Sequence, residues 1–82
     1  MSNSYERGRE DGFKAFRGKK LTSMELNTQY DDYVEGYINA LCEMYINRST
    51  LEATVDLEDL KEYYKSVSRA IPIIQSYLDD LL

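Results

Sequence analysis

Of the side chains that most often carry catalysis, histidine is absent from all 82 residues. Its absence removes the commonest general base and metal ligand, and every serine or cysteine triad that needs an imidazole. Cys42 is the one thiol. It stands beside Leu41 on the apolar side of a helical pattern, and reads as a small buried hydrophobe rather than an activated nucleophile. Adjacent carboxylates occur at Asp31/Asp32, Glu58/Asp59 and Asp79/Asp80. Neighbours on a helix point about 100° apart, so none of these pairs converges on a metal. Asp31 and Glu35, one turn apart, would hold a cation only weakly. Gly8-Arg9-Glu10-Asp11-Gly12 follows no strand and lacks the spacing of a phosphate-binding loop. Asn47-Arg48-Ser49 matches a glycosylation acceptor, which matters only in a secreted chain. The expectation is a protein that is not an enzyme, with no catalytic, cofactor or metal site.

The residues with chemical potential must therefore act as surface. Hydrophobic residues make up 43% and charged residues 30%, values of a globular chain. The length suits one domain, 1–82. No run approaches the roughly 20 apolar residues of a membrane span. The opening Met1-Ser2-Asn3-Ser4 lacks the apolar core of a signal peptide, so the expected address is cytoplasmic. Net charge is −5, unevenly spread. Residues 1–20 hold six basic and three acidic side chains, whereas residues 21–47 hold Glu25, Asp31, Asp32, Glu35 and Glu43 with no basic residue. Eight tyrosines and no tryptophan complete the unusual features. Tyrosine suits the rim of a small core, and it is also enriched at protein interfaces.

Three helical patterns must position these groups, which predicts an all-α fold near 4–17, 24–47 and 56–81. In the first, Asn3 with Glu6 has capping-box spacing, and Gly18 sits where a left-handed C-cap would fall. Gly8 and Gly12 lie one turn apart on its apolar face, and each costs about 1 kcal/mol of helix propensity. They predict close approach of another helix. In the second, Thr22 with Glu25 is a capping box and Asn27 a rival cap. Tyr30, Tyr33, Val34, Tyr37, Ile38, Leu41, Met44 and Tyr45 form its apolar face, with Gly36 expected near Gly8 and Gly12. In the third, capped by Asp56, Leu57, Leu60, Tyr64, Val67, Ile71, Ile74, Leu78 and Leu81 recur at alternating spacings of three and four. That is a heptad seam or the core face of a small bundle. Pro72 lies on its outer side and predicts a kink, with the seam continuing across it.

Arg7-Gly8-x-x-x-Gly12, a short basic segment, Asn27, and Tyr33-Val34-Glu35-Gly36-Tyr37-Ile38-Asn39-Ala40 together resemble ribosome modulation factor and its short bacterial and phage relatives. The resemblance covers roughly residues 5–41. It implies a helical hairpin in which Gly8, Gly12, Gly36, Tyr37 and Ala40 pack, and it brings ribosome binding into view. The family is basic where this chain is acidic. Its proline-containing turn is replaced here by Leu21-Thr22-Ser23-Met24, and the third helix has no counterpart in it.

Two functional expectations follow. The first is a small acidic interaction module, a phage or mobile-element inhibitor or adaptor. It would present Asp31, Asp32 and Glu35 as an acidic ridge to a basic host protein, in the manner of a nucleic-acid mimic. Asp79 and Asp80 form a possible second cluster. The alternative is a ribosome- or RNA-associated regulator in which Lys14, Arg17, Lys19 and Lys20 touch phosphates; otherwise no nucleic-acid partner and no membrane are expected. Because helix one is too short to cover the third pattern, Leu60, Tyr63, Val67, Ile71, Ile74, Tyr77 and Leu78 are also expected to form a homodimer seam.

Overall fold

The computed structural model describes residues 3–82, and among them there are five helices and no strand. The first helix, α1, runs Ser4–Arg17. The Glu6 N–H donates to Asn3 Oδ1 at 3.1 Å, the cap expected from sequence. Gly18 ends α1 with its N–H on the Lys14 and Ala15 carbonyls, but no residue among those described has positive φ. The left-handed C-cap expected there is therefore corrected: the turn closes without one.

The second pattern divides. Helix α2 spans Ser23–Asn27 and α3 spans Asp31–Arg48. Thr22 and Glu25 form the full reciprocal capping box, so this start is as expected. Asn27 is not a cap; it closes α2, and its Nδ2 donates to the Ser66 carbonyl at 3.2 Å. The third pattern divides too, into α4 over Thr50–Tyr63 and α5 over Ala70–Leu81. Helix α4 begins six residues before Asp56, capped by Ser49 Oγ, which accepts the Glu52 N–H. Asp56 instead accepts Arg48 Nη2 at 2.9 Å. Pro72 does not kink a long helix. It stands in the first turn of α5, where its missing N–H would have had no intrahelical partner, and the chain breaks ahead of it over 64–69.

Helix α3 is the hub, touching α1, α4 and α5. Against α1 the contact is backbone on backbone. A Cβ on Gly8 would intrude on the Tyr33 carbonyl and lie 3.0 Å from Tyr37 N. One on Gly12 would lie 2.5 Å from Tyr37 O and 2.8 Å from Ala40 Cβ, and one on Gly36 would strike the Tyr5 carbonyl. The three glycines thus meet as the sequence led one to expect, and Ala40 joins them. On the opposite side, Val34, Tyr37, Ile38, Leu41 and Cys42 of α3 are fully buried in one core with Leu57, Leu60, Tyr64, Val67, Ala70, Ile74 and Leu78.

That core changes the account of the seam. Leu60, Val67, Ile74 and Leu78 lie inside the chain's own interior. Ile71 is half-buried, and Tyr77 is half-buried against Asn39 and Glu43. Only Tyr63 of the expected dimer seam is exposed, at 45%. The argument that α1 leaves the seam uncovered fails because the break at 64–69 lets α4 and α5 fold against each other and against α3.

Candidate interaction surface

Asp31 is the first residue of α3, and Asp32 and Glu35 follow within its first two turns. All three are exposed. Asp31 and Asp32, in the first turn, lie at the positive end of the helix dipole, which offsets their repulsion. The expected isolation of the ridge from any cation is corrected at one position. Arg69, in the link between α4 and α5, places Nη1 2.8 Å from Asp31 Oδ1. The same guanidinium donates to the Gln29 carbonyl at 2.8 Å and the Asn27 carbonyl at 3.1 Å. It thereby gathers the end of α2 and the start of α3 around one planar donor fork. Asp32 and Glu35 form no ion pair among the described residues, so the open part of the ridge is these two.

Tyr30, expected on an apolar face, is 78% exposed beside them. With Ser4, Gln29, Asp31, Asp32 and Arg69 it lines an open groove of about 600 Å³. Sequence reasoning missed this tyrosine and Arg69. The signal for the first was Asn27-Thr28, two weak helix formers followed by polar Gln29, where α2 ends and Tyr30 is freed from the helical stripe. No sequence signal paired Arg69 with Asp31, 38 residues away.

The remaining charges are used differently. Glu43 takes both Nη atoms of Arg9, at 2.8 and 3.1 Å, tying α1 to α3. This hydrogen-bonded pairing holds the Glu43 carboxyl below its ordinary range, burial opposing it. Among the described residues Arg7, Lys14, Arg17, Lys19 and Lys20 form no ion pair; Lys20 lies over the Tyr63 ring, 5.4 Å from its centroid. Asp79 accepts Gln75 Nε2 at 2.9 Å, and Asp80 is exposed.

Most tyrosines serve the interior. The Leu21 N–H donates to Tyr37 Oη at 2.8 Å, and Tyr64 Oη donates to the Leu21 carbonyl at 2.7 Å. Tyr64 has then used its proton, so across the 2.9 Å contact between the hydroxyls Tyr37 is the donor. The result is a closed ring of three hydrogen bonds that fastens the segment between α1 and α2 to the core. Burial pushes both phenols above their ordinary range. Tyr33 donates to the Asp11 carboxylate, and Tyr77 to Asn39 Oδ1 at 2.9 Å. Cys42 is fully buried and its thiol is pushed up to about 12 by desolvation. No group of three His, Cys, Asp or Glu among the described residues is placed to hold a metal ion. No described helix is long and apolar enough to cross a membrane.

The chain matches no protein-family model, no curated protein and no solved structure significantly.

Proposed function

We propose that the chain is a small acidic helical module that binds a basic protein, acting as an inhibitor or adaptor, through the start of α3. The observation that carries this reading is the exposed Tyr30 sharing a groove with Asp32, with Glu35 exposed further along α3 and neither carboxylate spent on an internal cation. An aromatic anchor within a rim of like charge has the make-up of a protein contact. The aromatic buries area at small entropic cost, and the carboxylates steer a positive partner and exclude negative ones. Arg69 supports the reading from behind, because it ties down both the turn before Tyr30 and the first carboxylate. Charge mimicry of nucleic acid then rests on Asp32 and Glu35 rather than on three equal groups.

The test is the pair Asp32→Asn with Glu35→Gln, and separately Tyr30→Ala, measured against the protein recovered from nuclease-treated host lysate. Helicity and melting are expected to stay nearly unchanged. The carboxamide pair should weaken binding and flatten its salt dependence; Tyr30→Ala should raise the off-rate. Unchanged affinity in both overturns the reading. A second reading, a ribosome- or RNA-associated regulator, is favoured by the exposed Lys14, Arg17 and Lys19 without internal partners, and by the resemblance of residues 5–41 to ribosome modulation factor. It predicts a salt-sensitive RNA complex that Arg17→Ser with Lys19→Ser abolishes.

A further inference from the structure

Helix α4 buries Ala53, Leu57 and Leu60 and turns the opposite side to water. On that outward side stand Leu51 and Val55, one turn apart and 94% and 62% exposed. Glu58 and Glu62, also exposed, continue the same row at spacings of three and four. Asp59 and Glu52 flank it and are exposed too. The row reads Leu, Val, Glu, Glu along about three turns: an apolar half and an acidic half on one straight face. Scattered apolar residues at a surface are ordinary, but two that are aligned and lead into carboxylates give the face a direction. Glu58 has no cationic partner among the described residues, and Glu62 has only Lys65 at 2.9 Å in a pair whose side chains are 73% and 71% exposed, which contributes little.

We infer that this face of α4 is a second docking surface, distinct from the start of α3, and that it takes a basic amphipathic helix of another protein. Such a helix would set two apolar residues one turn apart over Leu51 and Val55, and Lys or Arg over Glu58 and Glu62. A second copy of this chain does not fit. Its own basic helix, α1, presents Arg7, Glu10, Lys14 and Arg17 outward with no apolar residue among them, so it offers charge without a match for Leu51. Two α4 faces laid in parallel oppose carboxylate to carboxylate, laid in full antiparallel overlap they oppose carboxylate to leucine, and shifted so that Leu51 and Val55 meet their own counterparts they leave Glu58 and Glu62 without a cation. The occupant is therefore a different chain, and with the α3 surface it makes this module a bridge between two basic partners.

The experiment titrates the full-length chain, isotope-labelled for NMR, with alanine-rich helical peptides. These carry Leu at i and i+4 and Lys at i+7 and i+11, in forward and reversed order, and are matched by controls with Glu for Lys. One order of the lysine peptide is expected to bind with shifts centred on Leu51, Val55, Glu58 and Glu62. Leu51→Ser with Val55→Ser, which alters only exposed side chains, should weaken binding about tenfold, or roughly 1.4 kcal/mol. Glu58→Lys with Glu62→Lys should abolish it, while Asp32→Asn with Glu35→Gln leaves it unchanged. That last variant separates the fate of this proposal from that of the α3 surface. The inference is overturned if neither order binds, if the Glu-for-Lys controls bind equally, if the shifts fall at Asp31–Glu35 or on α1, or if the free chain self-associates in a way that Leu51→Ser removes.

Discussion

Helix α3 is held on its two sides in opposite ways. Toward α1 the centre of the contact is backbone: glycine meets carbonyl until the two chains touch, and side-chain pairs such as Arg9–Glu43 and Asp11–Tyr33 stand at its margins. Toward α4 and α5 the contact is made of side chains alone, with Ile38, Leu41, Leu57 and Ile74 interlocking. The first kind of contact is all-or-none, because a carbonyl in a helix cannot move aside without its neighbours. The second is graded, because a cavity is shared among many neighbours. The fold thus has one side that tolerates no added atom and one side that loses stability by degrees.

The largest effect that can break this contrast is Gly36→Leu. A Cβ there strikes the Tyr5 backbone, and a longer chain drives α1 off α3; loss of more than about 4 kcal/mol, or of the folded state, is expected in chemical denaturation. If Gly36→Ala melts like the parent, the backbone contact is wrong. Ile74→Ala is next, at about 2–5 kcal/mol, with near-native circular dichroism below the transition. Tyr64→Phe sits between the two sides. It leaves the Leu21 carbonyl without its donor and the Tyr37 hydroxyl without its acceptor, which costs about 1–3 kcal/mol, and hydrogen exchange should quicken at the Leu21 amide first.

The smallest effect comes from the bidentate Arg9–Glu43 pair, which is part-exposed, with side chains 27% and 39% accessible. Glu43 is held below its ordinary range in the fold, so its contribution is present above the unfolded carboxyl value of about 4.3 and is lost as pH falls below it. Solvent screening limits that contribution to less than about 1 kcal/mol. Glu43→Gln should therefore lower stability at neutral pH by up to that amount, change little in acid where the carboxyl is already protonated, and so flatten the acid limb of the stability curve.

How much of this was legible in the sequence follows the same division. Gly8, Gly12 and Gly36 were readable because glycine in a helix interior is costly unless something comes close, and the something had to be another helix. The heptad row from Leu57 to Leu81 was readable as buried, but not its fold. The 3-4 rhythm passes unbroken through Tyr64 and Val67 although the chain there is turn, since a tight turn between two packed helices can keep apolar residues pointing inward. Ser49 carried the true start of α4 and the expectation of a cap at Asp56 passed it over; Asp56 spends its carboxylate on Arg48 instead. For the candidate surface, the exposed carboxylates could be read from charge segregation. The exposure of Tyr30 follows from α2 ending at Asn27, which the polar run there signalled locally, whereas the Arg69 contact depends on the whole tertiary path and could not be read locally.

The ring joining Tyr37, Tyr64 and Leu21 has an optical consequence. With no tryptophan in the chain, near-ultraviolet absorption and emission belong to tyrosine. Two phenols locked in a dry ring ionise late. Raising the pH should therefore develop the tyrosinate absorption of these two in a late wave. That wave coincides with unfolding, because phenols whose ionisation is delayed by the fold sustain it fully below about pH 10 and cease to do so as the pH climbs beyond it. The protein carries a built-in, label-free reporter of whether the segment between its first two helices is still fastened.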